Sequence, residues 1–547
     1  MLLKEIRLRQ LPNSRKSAAI TAALVIGFEL FNAISVALGL SSSALNNKAM
    51  MFAALAAFIA LNFPRGKSVR DFIDIRIAVM SCLFALSSYY FWESFPVRYK
   101  MLLIFGISYL FLLSLKAYVL QAGQSRADCS PRFVFLISFA VSLACLLLMW
   151  TSHFPYSTSP DTIRQWDELH GAAPYNDAFT AGYVIYLKLL LRIIDSYGIV
   201  ILSNILLASL LYASFSKYLS RHGVSVSYLI ALPALICGFS CTQAYFYAWK
   251  DVPFSLCIGV VTLYLMKMND ADFRISYHES VFLGICTAFC YLFRHNGIVV
   301  SAFAIAVFFA MMRRRNWIRK FAVMLLTSLV CVVSVNLYSD KVLKPEGMIS
   351  GTEFWPMMTG IAAAVSEGNV TDAQLAEISR YYDIDFMRSN YNVYNKLALI
   401  TDGICYDHHD GYYCMANYAP ETVKLYFKLL PGNVRAMAAD FLGNAMVVLG
   451  TVTFAFYEHH IVYMLTLLYL AMLYHRKKGR HRAQLSCLVP IILNAATIMA
   501  AVISYEQRYV LATFMLFPFI AAYIVMRIRE QGDGSGRHAE TGAAAGS

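Results

Sequence analysis

The chain has 547 residues, of which 59% are hydrophobic and only 14% charged, and its mean hydropathy is +0.55. A soluble globular protein carries about 25% charged residues, so these totals exclude an ordinary soluble domain. The formal charge of +13 does not point to nucleic acid, because the basic residues fall in short loops between apolar runs. In such loops they set membrane topology.

The start, "MLLKEIRLRQLPNSRK", reads as a basic arm leading into a full-length span, with no small-residue cleavage site behind it. Runs long enough to cross a hydrocarbon core of about 30 Å then follow to the far end of the chain. They lie near 17–38, 47–63, 77–93, 101–120, 132–150, 197–216, 226–245, 252–266, 279–293, 297–312, 321–338, 459–474, 485–504 and 509–526, fourteen spans in all. The expected fold class is therefore an all-α polytopic membrane protein. Two further pieces, 179–194 and 441–456, are ambiguous.

Positive charge arbitrates between the two outcomes. The N-terminal arm and the clusters at 64–76, 312–320 and 475–482 share one side only if neither ambiguous piece spans. In "FTAGYVIYLKLLLRIID", Lys188 and Arg192 are one helical turn apart, as in a helix lying in the interface plane. An ordinary span with snorkelling cations is the alternative. The expected location is the cell (plasma) membrane, with both termini cytoplasmic. Segments 151–196, 246–251, 294–297, 339–458 and 504–509 then share the extracytoplasmic face. The charge rule used none of these segments, yet it gathers the polar-aromatic clusters on one side.

Within the long segment, "TDAQLAEISRYYDIDFM" (371–387) predicts an amphipathic helix capped by Thr371. Residues 421–450 predict a second helix, broken near Pro431. The tail from Glu530, rich in Gly, Ser and Ala, reads as disordered. The organisation is then four N-terminal spans (1–130), a transmembrane core (131–338) with its first external loop at 151–196, an external segment (339–458), three C-terminal spans (459–529) and a cytoplasmic tail (530–547).

The chemistry-bearing residues sit at span mouths. Asp161, in "YSTSPDTIRQWDELHG" (156–171), is either a carboxylate placed to take a proton from a hydroxyl nucleophile or the cap of a helix that Ser159 can cap equally well. Asp167 and Glu168 read as solvated helix surface. In "YAWKDVPF", Lys250 is either an anchoring cation or a phosphate ligand, with Asp251 fixing it or capping the next span. Arg294, His295 and Asn296 join two spans with almost no loop, and a turn there needs only Asn-Gly. Arg508, in "EQRY", opens the last span beside Glu506, and a local Arg–Glu pair is its plain reading. One carboxylate and three cations on one face make a site for transferring a group from a lipid phosphate.

Cys405 and Cys414 in "CYDHHDGYYC" read first as a disulfide, with metal ligation by Asp407, His408 and His409 as the alternative. The other ten cysteines lie in or beside predicted spans, or in the loop holding Cys129, and read as small apolar side chains.

In their order along residues 130–525, "SPDTIRQW", "WKDVPF", "FRHNG" and "EQRY" resemble the GT-C fold of multi-spanning membrane glycosyltransferases, in particular a bacterial branch of it. The resemblance implies a polyprenyl-phosphate-linked sugar donor used on the extracytoplasmic face, an acceptor in the cell envelope (glycan, lipid or protein) and an inverting reaction. Asp161 matches the catalytic base of such enzymes, and Lys250, Arg294 and Arg508 match the phosphate contacts. Asp251, His295, Asn296, Glu506 and Asp177 are expected in support. The resemblance specifies no cofactor, and a divalent metal is compatible with it, because acidic residues of this loop bind one in some relatives. The chain departs from the pattern at "NDAFTAG", where Asp177 stands without a following His-Pro. A polymerase or ligase of lipid-linked polysaccharide is the nearest rival. A transporter or flippase is the rival from another class, with Glu29 and Lys116 as its buried charges.

Overall fold

The apolar runs become helices because hydrocarbon offers no partner to backbone N–H and C=O groups, and a helix satisfies both within one segment. A computed structural model describes residues 129–175, 179–237, 240–270, 273–315, 317–344, 354–393, 418–449, 460–477, 482–501 and 507–543, with Lys396, Leu399 and scattered positions within the first 120. Every regular element among the described residues is a helix. Of the four spans expected before residue 130, most residues lie outside this set, as do Asp177, Cys405, Cys414 and Glu506.

In chain order the helices are α1 (Pro131–Trp150), α2 (Pro160–Leu169), α3 (Ala181–Leu191), α4 (Tyr197–Arg221), α5 (Val226–Cys237), α6 (Asp251–Met268), α7 (Tyr277–Phe293), α8 (Gly297–Arg314) and α9 (Ile318–Tyr338). They continue with α10 (Trp355–Glu367), α11 (Asp372–Ile378), α12 (Ile384–Asn390), α13 (Ala419–Leu449), α14 (His460–Lys477), α15 (Val489–Ala501) and α16 (Leu511–Ala543). Six of them, α1, α4, α6, α8, α9 and the apolar part of α16, are long and apolar enough to cross a membrane. The fold is thus all-helical and suited to a bilayer.

Helix starts are written in the sequence. Ser130, Ser159 and Ser196 accept backbone N–H bonds at the starts of α1, α2 and α4, and Ser276 with Glu279 forms a capping box on α7. Between spans, small residues let backbones approach. A Cβ on Gly297 would fall on the Cys290 carbonyl and 2.9 Å from a Phe254 ring carbon, so glycine is what lets α7, α8 and α6 meet there.

Four features differ from expectation or sharpen it. The eleven residues of α3 rise about 17 Å, well short of a hydrocarbon core of about 30 Å. The single helix expected over 371–387 is two, α11 and α12, because the Asp383 carboxylate caps a new helix by accepting from Phe386 N at 2.9 Å. The helix expected to break near Pro431 does so at Asn433, whose backbone leaves helical geometry inside α13. The tail expected to be disordered instead continues α16 to Ala543. No proline follows Pro518 to break that helix, although Gly532, Gly534 and Gly536 each cost it about 1 kcal/mol relative to Ala.

Residues of α10 to α13 build a second core of their own around Met358, Ile361, Tyr382, Met387, Leu425 and Leu429. Beside it Lys396 lies 2.6 Å from Asp440, both side chains buried. Tyr391 and Thr359 also donate to that carboxylate, at 2.9 and 3.0 Å. Helices α10 and α13 pack on α15, which carries this unit beside the main bundle.

Candidate functional site

Three tertiary contacts bring one set of helix ends together. Arg508, just before α16, meets Asp161 in the first turn of α2; Arg294, after α7, meets Asp251 at the start of α6; and Asn296 Nδ2 donates to Thr497 Oγ1 of α15 at 3.2 Å. Four of the residues expected at the site therefore form one alternating row, Asp161–Arg508–Asp251–Arg294. Arg508 Nη1 donates to Asp161 Oδ2 at 2.7 Å, its Nε lies 3.9 Å from Asp251 Oδ2, and Arg294 Nη1 donates to Asp251 Oδ1.

The row grades from wet to dry. Asp161 keeps 49% of its side chain exposed, whereas Asp251 keeps 3%. The inner carboxylate thus acts as an anchor between two guanidinium groups, and the outer one faces solvent. Arg508, read from the sequence beside Glu506, makes a long-range pair with Asp161; Glu506 itself lies outside the described residues. Asp251, expected to fix Lys250 or cap a helix, holds two arginines, and its charge also favours the Lys250 ammonium. Asp161 sits at the second position of α2 while Ser159 takes the cap, which leaves the Asp161 carboxylate available to Arg508.

Lys250 sits beside the row, with Nζ 5.9 Å from the centre of the Phe179 ring. Removal from water, followed by the nearby charge of Arg294, pulls its ammonium down to about 8; Asp251 and Asp161 oppose that shift. His295 is exposed, so it stands at the rim, while Asn296 ties the α7–α8 turn to α15.

Aromatic side chains that the sequence left as membrane-interface residues hold the row in place. The Arg508 guanidinium lies over Trp249 at 4.4 Å and Tyr509 at 5.2 Å; that of Arg294 lies over Tyr509 at 4.7 Å and Phe254 at 5.8 Å. Trp249 also stacks on Tyr247 at 4.1 Å and donates its Nε1–H to Ser159 Oγ at 3.0 Å. One indole therefore braces the α2 cap and the arginine that α2's carboxylate receives. The signal in the sequence was its position next to Lys250, which interface preference alone explains equally well.

Glu168 is a correction. Expected on the helix surface, its side chain is only 3% exposed and pairs with Arg164 at 3.2 Å. The reason is that α2 lies against α4: Tyr197 packs edge-on against Trp166 at 4.9 Å and donates to Thr162 O at 3.2 Å. At the end of α2, His170 stacks on Trp166 and pairs with Asp195 at 3.0 Å; the Trp166 carbonyl raises it most, burial pulls it back, and the Asp195 carboxylate raises it further.

As for a metal, no group of three His, Cys, Asp or Glu side chains gathers among the described residues. Each carboxylate of the row pairs with an arginine, and Asp177 and Glu506 lie outside the described residues.

At the opposite end of the bundle, Asp270 pairs with Arg527 and with His222 Nε2 at 3.1 Å, joining the ends of α4, α6 and the apolar part of α16. Within the six span-length helices, every Asp, Glu, Lys, Arg and His lies near one end or the other. The chain matches no protein-family model, and comparison with curated proteins and with solved structures finds no match for it.

Proposed function

We propose that the chain is an integral-membrane glycosyltransferase of the GT-C kind, which moves a sugar from a polyprenyl-phosphate donor to an acceptor outside the cytoplasm, with inversion. On this reading it has about fourteen spans, cytoplasmic termini and an extracytoplasmic site. The observation that carries it is the alternating row Asp161–Arg508–Asp251–Arg294 with Lys250 beside it.

The chemistry follows from the row. The half-exposed Asp161 carboxylate takes the proton of an acceptor hydroxyl, and that oxygen attacks the anomeric carbon. The bond to the phosphate oxygen breaks, and Lys250, Arg294 and Arg508 neutralise the departing polyprenyl phosphate. Arg508 has two duties here. Before the donor arrives it pairs with Asp161; a phosphate drawing it away would free the carboxylate to act as base. Asp251, dry and fixed, keeps the arginines oriented through both stages. Within the six span-length helices among the described residues charge keeps to the ends, which goes against the transporter reading there; Glu29 and Lys116, its candidate buried charges, lie in expected spans outside those six.

The test is transfer by purified protein from a labelled polyprenyl-phosphate monosaccharide. Asp161→Asn should lower kcat by about 10²–10⁴-fold, the range for losing a general base, with donor affinity kept. Robust transfer by that variant would remove Asp161 as base. Transfer by the wild type from oligosaccharide-lipid donors alone would favour the polymerase or ligase.

A further inference from the structure

The bundle end opposite Asp161 holds a concentration of charge that the proposed reaction does not use. It is built where the α8–α9 turn meets the loop before α7. Arg315 donates to Phe273 O at 2.8 Å and to Asp270 O, and Lys320 donates to Ile275 O. Both cations also lie over the Trp317 ring, at 5.1 and 5.5 Å, and Lys320 lies 5.8 Å from the centre of Tyr277. These two basic residues are internal fasteners, holding loop and turn as one shelf.

The remaining cations of the shelf face outward. Arg313 and Arg314 at the end of α8, Arg319 at the start of α9, and Arg274 and His278 on the loop side are all exposed. Glu279, the neighbouring acid, is occupied by the α7 cap, accepting from Ser276 N at 2.8 Å. Immediately along α7 from the shelf, Tyr277, Val281, Phe282 and Ile285 are exposed large apolar side chains. Positions 277, 281 and 285 follow one helix face, with 282 beside them. Ile318 is exposed on the turn itself. An apolar track thus ends at a cluster of arginines, with Trp317 and Tyr277 at the junction.

We propose that this shelf binds an anionic phospholipid, its phosphate held by Arg313, Arg314 and Arg319 and its acyl chains lying along Val281, Phe282 and Ile285. A soluble anion would satisfy the arginines and leave the track bare. A neutral lipid would cover the track and leave the arginines without an anion. An anionic lipid fits both halves, and aromatic side chains at their boundary are where a headgroup meets its acyl chains.

Native mass spectrometry of the full-length protein in neutral detergent, with phosphatidylglycerol and phosphatidylcholine of matched acyl chains, tests this. The wild type should retain phosphatidylglycerol at least tenfold over phosphatidylcholine, and R313Q/R314Q/R319Q should lose that preference. Arg192→Gln, an exposed cation on a different segment, should keep it. Phe282→Ser should reduce retention of both lipids, and should do so whether or not the triple variant folds. Equal retention of the two lipids by the wild type, an unchanged preference in the triple variant, or displacement of phosphatidylglycerol by millimolar inorganic phosphate would each overturn the proposal.

Discussion

Lys250 is the residue whose chemistry depends most on its surroundings. Its ammonium gives up its proton at about 8, because it is drawn out of water beside Arg294. A phosphate ligand needs the charged form, so on the proposed reading donor binding is full below that value and weakens as pH rises through it. KM for the donor should climb about tenfold per pH unit above 8, as the ammonium fraction falls. Lys250→Arg, whose side chain stays charged at every working pH, should flatten the profile. A wild-type KM unchanged from pH 7 to 10 would remove Lys250 from phosphate binding. Stability has the opposite sign. The folded lysine binds fewer protons than the unfolded one between about 8 and its ordinary value of about 10.4, so its contribution improves with rising pH in that window. The identities of Asp161, Lys250, Asp251, Arg294 and Arg508 were legible from their place at span mouths. Their partnerships were not. Arg508 joins Asp161 across 347 residues of chain, a pairing that nothing in "EQRY" announces. Glu168 misled for a similar reason, since a polar helix does not reveal that Tyr197 lies beneath it.

At the scale of elements, the site depends on how closely the α7–α8 turn presses into its neighbours. Gly297 opens α8 against the Cys290 carbonyl, with Phe254 of α6 beside it. The Phe254 ring also lies 5.8 Å from the Arg294 guanidinium. Gly297→Ala should therefore destabilise by about 1–3 kcal/mol, the usual cost of overpacking, and lower transfer as well, because the turn that shifts is the one presenting Arg294. Thermal unfolding in detergent together with turnover checks this, and an unchanged melting temperature would contradict the packing. Long apolar helices were the most legible elements, although the runs expected at 226–245 and 485–504 form α-helices of only 12 and 13 residues, α5 and α15. The expected spans 132–150, 297–312 and 321–338 lie within α1, α8 and α9. Short polar helices were less legible, because a cap such as Asp383 competes locally with a periodicity that runs straight through it.

At the scale of the whole molecule, the chain divides its labour between two ends and a side. One end holds the carboxylate–arginine row, the other the Asp270 junction and the basic shelf, and the unit around Met358 and Tyr382 rests on α15. That same α15 receives Asn296 at Thr497 and donates from Asn494 to Tyr509 O at 3.2 Å, so the helix supporting the side unit also supports the site. The bareness of the span centres has an electrical consequence. Moving one elementary charge across a membrane exchanges about 2.3 kcal/mol per 100 mV with the field, yet the six span-length helices among the described residues carry no formal charge in the middle for that field to displace. Those six helices give the field nothing to move. Transfer in sealed vesicles should run at one rate whether the membrane is energised or collapsed with an ionophore, and a rate that tracks the imposed voltage would mean that charge moves through the protein after all.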